Sequence, residues 1–184
     1  TADNDYPSTS DPLTFSAGTA SKPVTVLVNG DTKFEPDENF VVNLSSPTNA
    51  TISDSQGQGT VRNDDSQSTI TINDVSQGEG NSATTSLNVS VSLSNASYQT
   101  ITVNFATADG TATAPGDYQS ASSTLTFNPG EATKQITVLV NGDNTREPNE
   151  TFFVNLSNAT NATIADNQGL GTITNDDPVP SIST

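Results

Sequence analysis

The chain has 184 residues and a mass of 19.0 kDa, with 21 acidic residues against 5 basic ones and a formal net charge of −16. This charge, with a pI near 4.1, excludes a basic surface for nucleic acid or anionic lipid, and no apolar run is long enough for membrane insertion as a helix. The absence of Cys and His removes disulfides, thiolate nucleophiles, zinc-thiolate sites and imidazole bases.

Leu, Ile, Val and Phe together number 38, about a fifth of the chain, which at this net charge borders on disordered composition. Pattern therefore decides whether the chain folds. Displacing the sequence by 112 positions against itself gives 41 identities in 72 overlapping positions without a gap. Thr25 through Asp31 repeats unchanged as Thr137 through Asp143, and Asn63-Asp64-Asp65 recurs as Asn175-Asp176-Asp177. On this register residues 1–65 are the C-terminal part of one repeat, residues 66–177 a complete repeat, and residues 178–184 the start of the next, Ile182 matching Ile70. A sandwich lacking its first strands leaves an apolar face open, so the sequence reads as a window on a longer tandem array.

In chain order, residues 69–73 form the first expected strand of the complete repeat. Leu87, Val89, Val91 and Leu93 alternate with polar residues and predict the next. Ile101, Val103 and Phe105 continue the pattern, then Leu125 with Phe127, Ile136 with Val138 and Val140, and Phe152 with Val154 and Leu156. Asn128-Pro129-Gly130 is a turn, and residues 169–174 make the last strand. No segment has helical spacing. The expected fold is all-β, a seven-stranded antiparallel immunoglobulin-like β-sandwich.

Carboxylates gather in the loops: Glu79, Asp109, Asp143, Glu147 with Glu150, and Asp176 with Asp177. Loops far apart in sequence converge at one end of a sandwich, and hard oxygen donors at this density suit calcium. Gly78, Gly80, Gly110 and Gly142 would let backbone carbonyls turn inward beside them. A single acidic loop usually only solvates a surface, but clustered carboxylates repel one another unless a cation neutralises them.

The Gly-Glu79-Gly setting, Phe105-Ala-Thr-Ala-Asp109-Gly-Thr-Ala, Gly116-Asp117-Tyr118, Leu125-Thr-Phe127 with Pro129-Gly130, Glu147 to Glu150 before Phe152, and the closing Asn175-Asp176-Asp177 resemble the Calx-β family. The resemblance covers the complete repeat and extends through residues 1–65. It implies a seven-stranded sandwich with Ca2+ in the loops at one end. Family members include calcium-sensing domains of sodium–calcium exchangers and repeats of large bacterial surface proteins. Carried over by position, the implied ligands are Glu79, Asp109, Asp143, Glu147, Asp176 and Asp177. The acidic triplets of the exchangers are here Gly142-Asp143-Asn144 and Asn175-Asp176-Asp177, which implies one or two ions instead of four. The partial repeat keeps Asp31, Glu35, Asp64 and Asp65, without counterparts of Glu79 and Asp109.

The functional expectation is a non-enzymatic, calcium-binding structural or adhesive repeat of an extracellular or cell-surface protein, in which calcium stiffens the joints between neighbouring repeats. Its partners would be calcium, neighbouring repeats, and other copies in a fibre or a surface ligand. The alternative is a calcium sensor that switches a neighbouring domain. A carboxylate-pair hydrolase lacks aromatic platforms and an Arg cluster to position a substrate. Eight Asn-X-Ser/Thr sequons occur, a number that a chain rich in Asn, Ser and Thr reaches by composition. Tyr6, Tyr98 and Tyr118 could line a sugar surface, but Tyr118 in its Gly-Asp-Tyr setting is expected in the core.

Overall fold

The structure is a computed structural model describing residues 5–182. The chain divides into two compact units, Thr1–Asp65 and Ser66–Thr184. Among the described residues there is no helix, and so none long and apolar enough to cross a membrane.

In the first unit, β1 (Glu38–Asn43) pairs antiparallel with β2 (Gln56–Val61). Phe40 lies opposite Gly59, a position that only glycine fits because any Cβ there would collide with the ring. The counterparts of two strands of the complete repeat, around Leu13-Phe15 and Thr25-Asp31, carry no strand here.

The second unit holds β3 (Thr69–Ile72), β4 (Val75–Gly78), β5 (Thr84–Leu93), β6 (Ile101–Asp109), β7 (Ser122–Phe127), β8 (Thr133–Asn141), β9 (Glu150–Thr160), β10 (Thr163–Ile164) and β11 (Gln168–Thr174). One sheet has the order β10-β3-β5-β8 and the other β4-β11-β9-β6-β7. The alternating apolar residues face each other between the sheets: Leu87, Val89 and Val91 of β5, Ile136, Val138 and Val140 of β8, Ile101 and Val103 of β6, and Phe152 and Val154 of β9 are all at most 2% exposed. The expected turn forms at Gly130, with φ of 84° and a bond from the Glu131 amide to the Asn128 carbonyl of 2.9 Å.

Seven antiparallel strands are corrected to nine segments, two of which pair in parallel, β4 with β11 and β10 with β3. The first expected strand, residues 69–73, forms as β3 and ends at Ile72, and an additional strand, β4, follows after Asn73-Asp74. Asn73 Oδ1 accepts the Ser90 amide of β5 at 2.6 Å, while Asp74 Oδ1 accepts the Leu170 amide of β11 at 2.7 Å. Adjacent side chains thus fasten the chain to one sheet and then to the other, and Val75–Gly78 runs on as an edge strand that delivers Glu79 to the sandwich end.

Candidate metal centre

Glu79 continues directly from β4: its amide donates to the Thr174 carbonyl at 3.2 Å, and its carbonyl accepts Thr85 Oγ1 at 2.8 Å. Gly80 follows with φ of 82°, a left-handed turn that a β-branched residue would resist. Asp176 and Asp177 leave the far end of neighbouring β11. Carboxylate oxygens of Glu79, Asp176 and Asp177 all lie within 4.8 Å of one another.

Two of these groups are buried, Glu79 and Asp177 each 6% exposed, and Glu79 Oε1 and Asp177 Oδ2 have no hydrogen-bond donor. Asp177 Oδ1 accepts Asn81 Nδ2 at 2.8 Å. Burial pushes the Glu79 carboxyl above its ordinary value, and the nearby charges of Glu147, Asp177, Asp143 and Asp176 push it further. Buried carboxylate oxygens without donors, in a group of neighbouring carboxylates, carry a strong penalty unless something neutralises them. An all-oxygen set with both exposed and buried members fits a hard divalent cation such as calcium, and does not fit zinc or copper.

A second group adjoins the first. Oxygens of Asp117, Glu147 and Glu150 also lie within 4.8 Å of one another, and Glu147 links the groups by raising Glu79. Burial raises the Glu150 carboxyl, reinforced by Asp117 and Glu147. Asp117 Oδ2 accepts the Thr113 amide at 2.6 Å.

Of the residues expected from sequence, Glu79, Asp176 and Asp177 come together, with Asp143 and Glu147 close enough to act on Glu79. Asp109 stands in neither group. Its Oδ1 accepts the Tyr118 hydroxyl at 2.7 Å and the Ala114 amide at 3.0 Å, and these bonds hold its carboxyl below the usual range. Tyr118 is 1% exposed and stacked on Phe152 at 4.5 Å, so it lies in the core, and burial pushes its hydroxyl up to about 12.

Sequence reasoning passed over Asp117 and Glu150 as ligands and Asn175 as a positioning residue. Asn175 Oδ1 accepts the Glu147 amide at 2.8 Å, and its Nδ2 donates to the Asp177 carbonyl at 3.1 Å, which ties two acidic loops together. The signal was in the repeat, since Asp5, Glu38 and Asn63 occupy the matching positions.

The first unit builds the same framework. The Glu35 amide donates to Asn63 Oδ1 at 3.0 Å, and Asn63 Nδ2 donates to the Asp65 carbonyl at 2.8 Å. A cavity there is lined by Asp5, Asp31, Glu35, Glu38, Asp64 and Asp65, and by Lys33, whose Nζ lies 3.0 Å from Glu35 Oε1. The equivalent of Lys33 in the second unit is Thr145.

The Calx-beta domain family model matches residues 1–76 and 65–177. The chain belongs to the Calx-β family. Sodium/calcium exchanger 1 of Canis lupus familiaris is 41% identical over 71 residues, covering 39% of this chain and 7% of that protein. Sodium/calcium exchanger 1 of Bos taurus is 46% identical over 59 residues, or 32% and 6%. The chain therefore spans less than a tenth of the curated relatives it matches. The apo-form Calx CBD1 domain superposes with a TM-score of 0.55 at 21% identity, covering 61% of this chain and all of that one. The calcium binding domain CBD12 of CALX1.1 gives 0.53 at 22%, covering 59% and 46%. These similarities support the sandwich fold, and Ca2+ is the ligand of this family.

Proposed function

We propose that the chain is a non-catalytic calcium-binding repeat whose ion sits among Glu79, Asp143, Glu147, Asp176 and Asp177, with Asp117 and Glu150 extending the site. The observation that carries this reading is the pair of buried, donorless oxygens on Glu79 and Asp177 inside a ring of carboxylates. Asp31, Glu35, Asp64 and Asp65 would form the matching, weaker site of the first unit, where the Lys33 ammonium already offsets part of the charge. Calcium supplies charge neutralisation and shared coordination. The protein orients the carboxylates: β4 and β11 present Glu79 and Asp177 side by side, and Asn175 fixes the Glu147 loop against them.

The role we favour is mechanical, in an extracellular or surface array of such repeats. Asp64-Asp65 ends one repeat immediately before Ser66 opens the next, so an ion held there would limit bending of the connection. Fibre or adhesive contacts belong to this reading. The identity to sodium/calcium exchangers favours a second reading, a regulatory module whose ion occupancy is passed to a neighbouring domain. Calcium affinity separates them, because extracellular modules bind at about 10⁻⁴ to 10⁻³ M and sensors at about 10⁻⁷ to 10⁻⁵ M. Thermal unfolding with millimolar calcium and with chelator, on the native chain and the Asp143→Ala and Asp176→Ala variants, tests the shared premise. A calcium-dependent rise that both variants diminish supports the site, and an equal rise in all three chains refutes it.

A further inference from the structure

Asn141, the last residue of β8, makes three hydrogen bonds to three consecutive residues of the loop before Tyr118. Its Nδ2 donates to the Pro115 carbonyl at 2.8 Å and to the Gly116 carbonyl at 2.7 Å, and its backbone amide donates to the Asp117 carbonyl at 2.9 Å. Pro115 and Gly116 have no polar side chain of their own, so side-chain bonds that hold their carbonyls come from elsewhere in the chain. The backbone bond recurs in the first unit, where the Asn29 amide donates to the Asp5 carbonyl at 2.6 Å.

The next residue meets the other acidic group. The Gly142 amide donates to the Ala83 carbonyl at 2.9 Å, and a Cβ on Gly142 would lie 2.7 Å from the Glu79 carbonyl oxygen and collide with that of Gly80. Two adjacent residues therefore touch two loops, one carrying Glu79 and the other Asp117. Within its own loop the Asp117 carboxylate is set by Thr113, whose amide and hydroxyl donate to Oδ2 at 2.6 and 3.2 Å. A carboxylate fixed to its loop moves with that loop, so the place of Asp117 beside Glu147 and Glu150 depends on where residues 115–117 are seated.

We propose that Asn141 is a positioning residue of the ion site: by seating residues 115–117 on the end of β8 it holds Asp117 in the group with Glu147 and Glu150, and with Gly142 it ties that group to the one around Glu79. The proposal rests on the calcium-binding reading given above. Asparagine suits the task because its amide offers two N–H donors, one for each of two successive carbonyls, whereas aspartate of the same shape has only acceptors. A carboxylate held in place beforehand loses less conformational freedom when an ion binds. Pro115 and Gly116 are exposed, so water replaces the lost donors when Asn141 is removed, and the effect falls on the position of the loop more than on stability.

The test is a double-mutant cycle read by calcium titration calorimetry on the native chain, Asn141→Leu, Asp117→Asn and the double variant. Asn141→Leu removes both donors without changing the net charge, and Asp117→Asn keeps an oxygen for the Thr113 amide. Each single variant weakens calcium at least about fivefold, and adding Asn141→Leu to Asp117→Asn changes the affinity by less than about twofold, because Asn141 acts through the carboxylate already removed. A substitution that merely loosened the fold would multiply with Asp117→Asn. In chelator, the Asp117 amide of Asn141→Leu exchanges at least about tenfold faster than in the native chain, while the amides of Val138 and Val140 stay protected, which places the change in the loop. Asn141→Ser, too short to reach either carbonyl, gives the same pattern and replaces the leucine variant if that chain does not fold. Native affinity in the Asn141 variants, or losses that multiply in the double variant, overturns the proposal and leaves the calcium-binding reading intact. Absence of calcium binding by the native chain overturns both.

Discussion

Replacing Asp177 by Asn separates electrostatic repulsion from ion binding, because the two respond with opposite sign. Two unit charges 4.8 Å apart repel by about 3.5 kcal/mol at an effective dielectric constant of about 20, an upper bound for groups that relax or take up protons. The substitution keeps the oxygen that accepts Asn81 and places an amide N–H at the donorless Oδ2, on a side chain grouped with the carboxylates of Glu79 and Asp176. Satisfying buried groups of this kind is worth about 1–3 kcal/mol, or roughly 4–12 °C in the midpoint at about 4 °C per kcal/mol. In chelator, Asp177→Asn therefore unfolds at a higher temperature than the native chain. With calcium at a hundred times its dissociation constant, the native chain gains about 2.7 kcal/mol, or roughly 11 °C, and the variant gains little. Differential scanning calorimetry of both chains in the two conditions reads all four midpoints. A variant less stable than the native chain in chelator, or one that keeps the full calcium shift, refutes the reasoning.

The pH dependence of stability should reverse with calcium. Glu79 and Glu150 have raised folded values, so without calcium their stabilising contribution is present below about 4.5 and is lost as pH rises through those values; with calcium they are bound ionised, and stability falls as pH drops. Urea midpoints between pH 4 and 7 in chelator and in calcium show the two slopes. Tyr118→Phe removes the donor to ionised Asp109 and should lower the urea midpoint at neutral pH, with the difference from the native chain shrinking as pH falls below 3.8, because the depressed Asp109 value contributes stability above 3.8 that acid removes from the native chain. Gly171→Val places a Cβ 2.5 Å from the Phe152 ring and should cost about 1–3 kcal/mol by the same assay. Lys33→Thr, which gives the first unit the residue of the second, should add a weak calcium-binding heat in titration calorimetry that the native chain lacks or shows at higher concentration.

The strands that alternation announces, β5, β6, β8 and β9, are those whose inward residues the structure buries, because period-two patterning and one-sided burial are the same fact. The additional strand β4 was hidden, since its place depends on Asn73 and Asp74 bonding to amides of β5 and β11 that lie far away in sequence. The parallel β10 has only Thr163 and Ile164, too short for any period. In the site, density of carboxylates in loops identified Glu79, Asp176 and Asp177, whereas composition could not show that Asp109 bonds Tyr118 or that Asp117 and Glu150 face Glu147. The match of residues 25–31 to residues 137–143 was equally legible, yet residues 25–31 carry no strand.

The central claim is that the carboxylates around Glu79 and Asp177 hold calcium. Isothermal titration of the native chain with calcium at neutral pH, beside Asp177→Asn, tests it most directly. The account predicts saturable binding to the native chain by about 10 mM, roughly ten times the weakest dissociation constant of about 10⁻³ M for extracellular modules, and at least a tenfold loss of affinity in the variant. Absence of binding heat up to that concentration, or equal affinity in the two chains, would contradict it.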